Sequence, residues 1–564
     1  MLKKSEWKMA AEHPEAGRLV EELNVHPAIA RILVNRSILD PESARLFLYG
    51  GLKDLHDPYA LKGMKTAVGR ILEALENREK ILIFGDYDVD GVLSVVMLAK
   101  ALQSMGADVE YFIPERLKEG YGIKDEHIRV VLERGVRLVI SVDCGIKANT
   151  FVRLARENRV DCIITDHHQP GEVLPEALAI LNPVLPDSGY PYKTLAGVGV
   201  VFKLIQALLD SQGKAAALPH YTKMVAIGTI ADVVDLRGEN RIFVRHGLKG
   251  LENVSNIGLR SLIDNCGLKG RKVSEGDVGF RISPRINAAG RMGMTDLAVQ
   301  LFFTDSLEKS LELVKTLDNL NSKRQRTEEL IFKQASGRID GEGLDRRYKL
   351  LILGCEEWHR GVTGIVASKL KDRYHRPVIL FAYEDGKAFG SGRSISEFPL
   401  IDCLEQCRDV FQDFGGHKLA VGCVLARENM AAMKSAVNAV AESRIKEDDL
   451  VRKIRVDAPI SFEDISRNFL EHFSLLFPFG TGNPKPVFLT EGAVIMNEPQ
   501  RLQGKHLKFL VKQGGRVFEA LGWDKADWAG TFSRGDKLDL VYTLQFSEYL
   551  GEERLNLSVE DIRR

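Results

Sequence analysis

KILIFGDYDVDG, residues 80–91, sets an apolar run against three carboxylates at every second position, Asp86, Asp88 and Asp90. The run reads as a strand. If extended geometry continues past Gly85, the three carboxylates line one wall, because residues two apart on a strand point to the same side. Like charges crowded this closely repel one another and are costly to desolvate. D-x-D-x-D-G also opens the calcium loop of an EF-hand. That loop needs Glu at its twelfth position, which here is Met97, and a helix before it, so the EF-hand reading fails.

Outward from this segment, apolar strands alternate with helical stretches. KILIFG is followed by VLSVVMLAKALQSMG, DVEYFIP, DEHIRVVLERG, RLVISVD, TFVRLAREN and DCIITDHH. The alternation predicts an α/β fold with a parallel sheet flanked by helices. Two more strands end in polar residues: ISVDCG in Asp143, and IITDHHQP in Asp166, His167 and His168. In open parallel sheets the carboxyl edge is where ligands bind. AIGTIADVVDL adds Asp232 and Asp235 on an apolar, helical segment, where an uncompensated Asp is costly. A lone strand-end Asp or His is usually structural, but carboxylates and imidazoles converging on one edge form a metal site. Mixed O and N ligation suits Mn²⁺, with Mg²⁺ as the alternative, and bound cations would offset the repulsion.

The 564 residues predict two to four domains. Lys plus Arg and Asp plus Glu both number 78, which argues against a simple basic coat for nucleic acid but leaves room for a local basic groove. No run of 18 apolar residues reads as a membrane span and no signal peptide is evident. The seven scattered cysteines read as reduced cytosolic thiols. Residues 1–60 read as an N-terminal helical extension and 61–315 as the α/β domain. A long charged helix (316–345) links it to a smaller α/β unit (346–452). From 453 to 564, short β-rich segments with Gly turns suggest a small barrel of OB type.

GDYDVDG, VDCG, TDHH and GTIADVV, in this order, resemble the motifs of the DHH phosphoesterase superfamily, and within it the RecJ-type single-stranded-DNA exonucleases. RINAAGRMG (285–293), WHRGVTGIVASKL (358–370), SGRS (391–394), FGGHKLAVGC (414–423) and PFGTGNPKPVF (478–488) carry the resemblance along the chain. The resemblance implies a DHH domain, a DHH-associated domain and an OB-fold. It implies two Mn²⁺ ions held by Asp88, Asp90, Asp143, His167 and Asp232, with Asp143 bridging and Asp86 an outer ligand. His168 would face the substrate phosphate, with Asp166 orienting a ring nitrogen. Arg116, Tyr121, Arg291, Ser391, Arg393, Gly415, Gly416 and His417 would contact nucleic acid. Phe84 stands where related phosphatases have a histidine, which puts one metal's grip in doubt. The implied activity is 5′-to-3′ hydrolysis of single-stranded DNA to 5′-mononucleotides in DNA repair and recombination, by a cytoplasmic monomer working with a RecQ-type helicase and a single-strand-binding protein. A small-substrate DHH phosphodiesterase would lack the β-rich segment after 453, and a non-catalytic scaffold would lack the ligands.

Overall fold

The computed structural model describes residues 5–115, 119–120, 122–549 and 552–564. Strand Lys80–Gly85 is the second of five parallel strands, in the order Asp108–Phe112, Lys80–Gly85, Leu138–Val142, Asp161–Thr165 and Ala179–Leu181. Its side chains alternate between two cores, as the period of two demands. Ile81 and Ile83 join the core of helices Val89–Ser104 and Gly197–Ser211, whereas Leu82 and Phe84 join that of Phe151 and Val152. Both faces are therefore covered, the usual condition of a parallel sheet. Register pairs Gly85 with Val142, and Val142 with Thr165. The residues that follow, Asp86, Asp143 and Asp166, thus leave the sheet at one level.

Helix Val89–Ser104 buries 13 of its 16 residues. A helix apolar on all sides belongs at the centre of a fold, and this one fixes the position of its own first turn. Helix Leu307–Glu342 begins at a Ser306 cap and runs 36 residues, about 54 Å at 1.5 Å per residue. Its inward stripe starts in the core of the first domain with Leu313, Val314 and Leu317. It ends in the core of the second with Ile331, Ala335 and Ile339. Between them the stripe is polar: Arg324 bonds Asn321 (2.8 Å) and pairs with Glu328, which also receives Lys369.

The second domain has a five-stranded mixed sheet, ordered Asp413–His417, Ala420–Ala426, Lys387–Arg393, Val378–Glu384 and Leu351–Cys355. Only the last two strands pair in parallel, joined by helix Arg360–Tyr374. In the third domain Val487–Ile495 pairs with both Lys537–Tyr549 and His506–Gln513. That second pairing closes the sheet into a barrel.

The amino-terminal segment contains three helices, Glu15–Leu23, Pro27–Asn35 and Pro41–Tyr49, but it is not helical throughout. Strand Glu6–Met9 pairs in parallel with Lys453–Val456, and Leu19, Ile29, Leu33 and Leu48 share a core with barrel residues Phe488, Leu540 and Tyr542. Local periodicity predicts these helices but not which core they enter. Among the described residues no helix is long and apolar enough to cross a membrane.

Candidate metal centre

The extended backbone stops at Gly85, which corrects the expectation of one strand wall. Asp88 instead caps helix Val89–Ser104, accepting from the Gly91 amide at 3.1 Å, and Asp90 sits in the first turn. Gly91 is required because a Cβ there would lie 2.5 Å from the Asp86 carbonyl oxygen. This tight turn keeps Asp86 and Asp88 in one group and turns Asp90 into another. Ligating atoms of Asp86, Asp88 and Asp143 lie within 4.8 Å of one another, as do those of Asp90, His167 and Asp232, and those of Asp143, His167 and His168. Asp143 Oδ1 lies 3.1 Å from His167 Nε2, and Asp232 Oδ2 lies 3.6 Å from it.

Asp90 is almost fully buried and accepts from the Gly197 amide at 2.7 Å and the Val198 amide at 2.6 Å. These are unpaired donors at a helix start, where a carboxylate is favoured. A Cβ on Gly197 would fall 2.7 Å from Asp143 Oδ1, so only glycine lets this helix approach. Sequence reading missed these two positions, because backbone donors leave no side-chain signature. Asp143 itself has φ 59°, and Val233, directly after Asp232, has φ 62°. Left-handed backbone at β-branched Val233 stores of order 1–3 kcal/mol, and such strain gathers at functional sites.

Asp166 is fully buried and accepts from the amides of Ile146 (2.9 Å), His167 (2.8 Å) and His168 (3.0 Å), and lies 2.7 Å from His168 Nδ1. Burial alone would raise its pKa, but the bond to His168 and that ring's charge hold it below the usual carboxylate range. Burial would likewise lower His168, and Asp166 overcomes this to raise it. Burial, then the neighbouring His168, pushes His167 down to about 4, and the charge of His417 across the cleft adds to this. Burial and the Asp88 charge push Asp90 up to about 7. Burial and the surrounding carboxylates push Asp143 and Asp232 well above the ordinary range. So many buried carboxylates must take up protons or cations. Nε2 of His167 and Oδ2 of Asp232 are buried without a hydrogen-bond partner, and a neutral imidazole beside carboxylates is a ligand set for a divalent cation.

Phe84 is buried against Phe112 and Phe151, in the core on the face of the sheet away from helix Val89–Ser104. Asp235 lies outside the cluster, bonded by Arg237 at 2.9 Å. Ser391 and Gly415 line a cavity of about 540 Å³ together with Tyr87, which lies between Asp86 and Asp88. Gly415, Gly416 and His417 lie on edge strand Asp413–His417. Arg393 points toward Gly364, whose added Cβ would lie 3.3 Å from its Nη2. Arg291 reaches across the domains to donate to the Gly361 carbonyl at 2.9 Å. Arg116 and Tyr121 lie outside the described residues.

The family model described as DHH family, N-terminal domain, matches residues 80–229, the DHHA1 domain matches 347–443, and the RecJ OB domain matches 456–561. The single-stranded-DNA-specific exonuclease RecJ of Bacillus subtilis is 38% identical over 96% of this chain and 69% of its own length. The chain belongs to the RecJ family. Two RecJ crystal structures from Thermus thermophilus share its architecture. The one in complex with Mn²⁺ is 32% identical with a TM-score of 0.85, covering 99% of this chain and 79% of that one. The one in complex with Mg²⁺ is 30% identical with a TM-score of 0.79, covering 99% and 78%. The smaller DHH enzymes and the metal-free scaffold are thereby set aside: this RecJ-family chain carries both the barrel and the acidic cluster.

Proposed function

We propose that the chain is a metal-dependent exonuclease that removes 5′-mononucleotides from the 5′ end of single-stranded DNA. The observation that carries this reading is the meeting of five aspartates and His167 on one sheet edge, with two buried ligand atoms lacking partners. Asp86, Asp88 and Asp143 would hold one divalent cation, and Asp90, His167 and Asp232 the other. Mn²⁺ is the favoured ion and Mg²⁺ the alternative. Bound cations would supply charge neutralisation at the phosphate and activation of water for an in-line displacement.

The chain's own residues do the rest. Asp166 fixes the His168 ring and favours its protonated form, which suits donation to a phosphate oxygen. The Gly197 and Val198 amides hold Asp90 in place. Ser391, Gly415, Gly416, His417, Arg291 and Arg393 form a phosphate-binding rim over the cluster, and Arg116 and Tyr121 are proposed to hold the terminal nucleotide. The barrel contributes a groove lined by Arg452, Lys453, Arg455 and Trp523. Trp523 is 41% exposed and available to stack on a base, whereas Phe509 and Tyr542 are barrel core. Work in repair and recombination as a cytoplasmic monomer, with a RecQ-type helicase and a single-strand-binding protein, accords with this activity. So does a division of the chain into catalytic, linking, DHH-associated and OB units.

The test uses the protein with Mn²⁺ and single strands labelled at either end. Early release of labelled mononucleotide from the 5′-labelled strand alone supports the reading. Attack from the 3′ end, or none, refutes it. Asp143→Ala is expected to lower turnover at least about 10³-fold with its circular dichroism unchanged, and cleavage persisting in that variant would refute the metal assignment.

A further inference from the structure

Asp232 is held differently from Asp90. Two amides fix the Asp90 carboxylate, whereas Asp232 Oδ2 is buried beside His167 without a hydrogen-bond partner. Its place is therefore set by the backbone that carries it, at the end of helix Thr222–Ala231. The next residue, Val233, is left-handed and 68% exposed, so its own packing does not offset the strain. Strained backbone persists only where its surroundings over-determine it. From the first domain, Tyr192 Oη donates to the carbonyls of Asp235 (3.0 Å) and Arg237 (2.8 Å). The other support comes from a turn of the third domain, residues 480–483. There the Leu236 amide donates to the Thr481 carbonyl at 2.8 Å. Glycines on both sides of Thr481 permit the approach. A Cβ on Gly482 (φ 73°) would overlap Asp235 Oδ1, and one on Gly480 would lie 2.6 Å from Leu236 Cδ1. The turn is itself fixed. Gly480 and Asn483 exchange backbone hydrogen bonds at 2.8 and 3.1 Å, and the buried Asn483 side chain donates to the carbonyls of Leu476 and Pro478. Buried Arg36, from the amino-terminal segment, donates to the Pro484 carbonyl.

We propose that the turn 480–483 is a positioning element for the second cation: by bracing the loop 233–236 it holds Asp232 where Asp90 and His167 can share an ion with it. Groups that orient a metal ligand without touching the metal set much of its affinity. The centre therefore reaches full affinity for that ion only with the third domain docked on the first. The proposal rests on the two-cation assignment above and extends it to residues that touch neither ion.

The experiment titrates the full chain with Mn²⁺ alone and follows the unbound ion by electron paramagnetic resonance. Wild type is expected to bind two ions. Gly482→Ala is expected to weaken one of them roughly ten-fold and to leave the other unchanged. In an Asp232→Ala background the same change is expected to leave the remaining ion's affinity as it was, whereas a general loosening of the fold would lower it. Gly480 is not left-handed, and a Cβ there meets only side-chain atoms of Leu236. Gly480→Ala thus repeats the test with less strain should Gly482→Ala not fold, with circular dichroism as the check. Both ions held as tightly as in wild type, or both weakened alike, overturn the proposal while the two-cation reading stands. A wild-type chain that binds a single ion overturns that reading and the proposal with it.

Discussion

At the scale of single residues the site is governed by what Asp166 does for its neighbours. It neutralises nothing at the cluster directly; it fixes two successive histidines through their amides and one through its ring. Asp166→Asn is expected to cost about 1–3 kcal/mol, since one of the two acceptor oxygens becomes an NH₂ that faces buried donors. The same change lowers the pKa of His168, read by NMR titration of the ring. The sign for stability follows. His168 is raised in the fold, so its share of the stability is fully present below the unfolded value near 6.5 and is lost as pH rises through the folded value. The gap between wild type and Asp166→Asn in chemical denaturation should therefore narrow as pH rises from about 6.5 through the raised folded value, and a gap that widens there would contradict the pairing. Asp86 and Asp143 were legible because each follows an apolar strand, and Asp232 because it ends an apolar helix. The direction of Asp90 was not, because it depends on a helix turn that begins where the strand pattern ends. The amides of Gly197 and Val198 were equally hidden, as any residue supplies an N–H.

At the scale of elements, helix Leu307–Glu342 is legible as a helix from its freedom from Gly and Pro before Gly337. Its two-core stripe is not, because Arg324 and Glu328 interrupt the apolar period with buried charge. That charged middle separates two cores that would otherwise fuse. Glu328→Gln leaves Arg324 and Lys369 without their shared carboxylate, and is expected to lower stability by about 3 kcal/mol in urea denaturation. A neutral outcome would show that the pair is solvated. Helix Val89–Ser104 answers to different physics. Leu93 is fully buried, and Leu93→Ala should cost about 2–5 kcal/mol by the cavity it leaves, measured the same way.

At the scale of the whole molecule, Arg241 joins three parts of the chain. Its Nε donates to the Phe47 carbonyl at 2.7 Å, and its two Nη atoms donate to those of Leu475, Leu476, Phe477 and Pro478 at 2.7–3.2 Å. All five guanidinium hydrogens are thereby matched, over the end of helix Arg467–Ser474, where a cation is favoured. Lysine has three donors and a rounder head, so Arg241→Lys should not substitute. Thermal unfolding of that variant is expected to split into separate transitions for catalytic and barrel units. A single undisturbed transition would show that the clasp is dispensable. Nothing in the local sequence marks Arg241, since its partners are carbonyls more than 190 residues away on either side.

The pairing of Glu6–Met9 with Lys453–Val456, and the shared core above it, also sets a timetable for synthesis. A ribosome delivers Ile29 and Leu33 early, yet their packing partners emerge only some 400 residues later. At about 5–20 residues per second, the first helices wait tens of seconds with apolar faces uncovered. Nascent chains arrested near residue 450 should therefore be cut readily within roughly their first 50 residues, while completed chains resist, in limited proteolysis of stalled ribosome complexes. The amino-terminal segment, first to be made, is among the last to fold, and in living cells it is the stretch most in need of a chaperone.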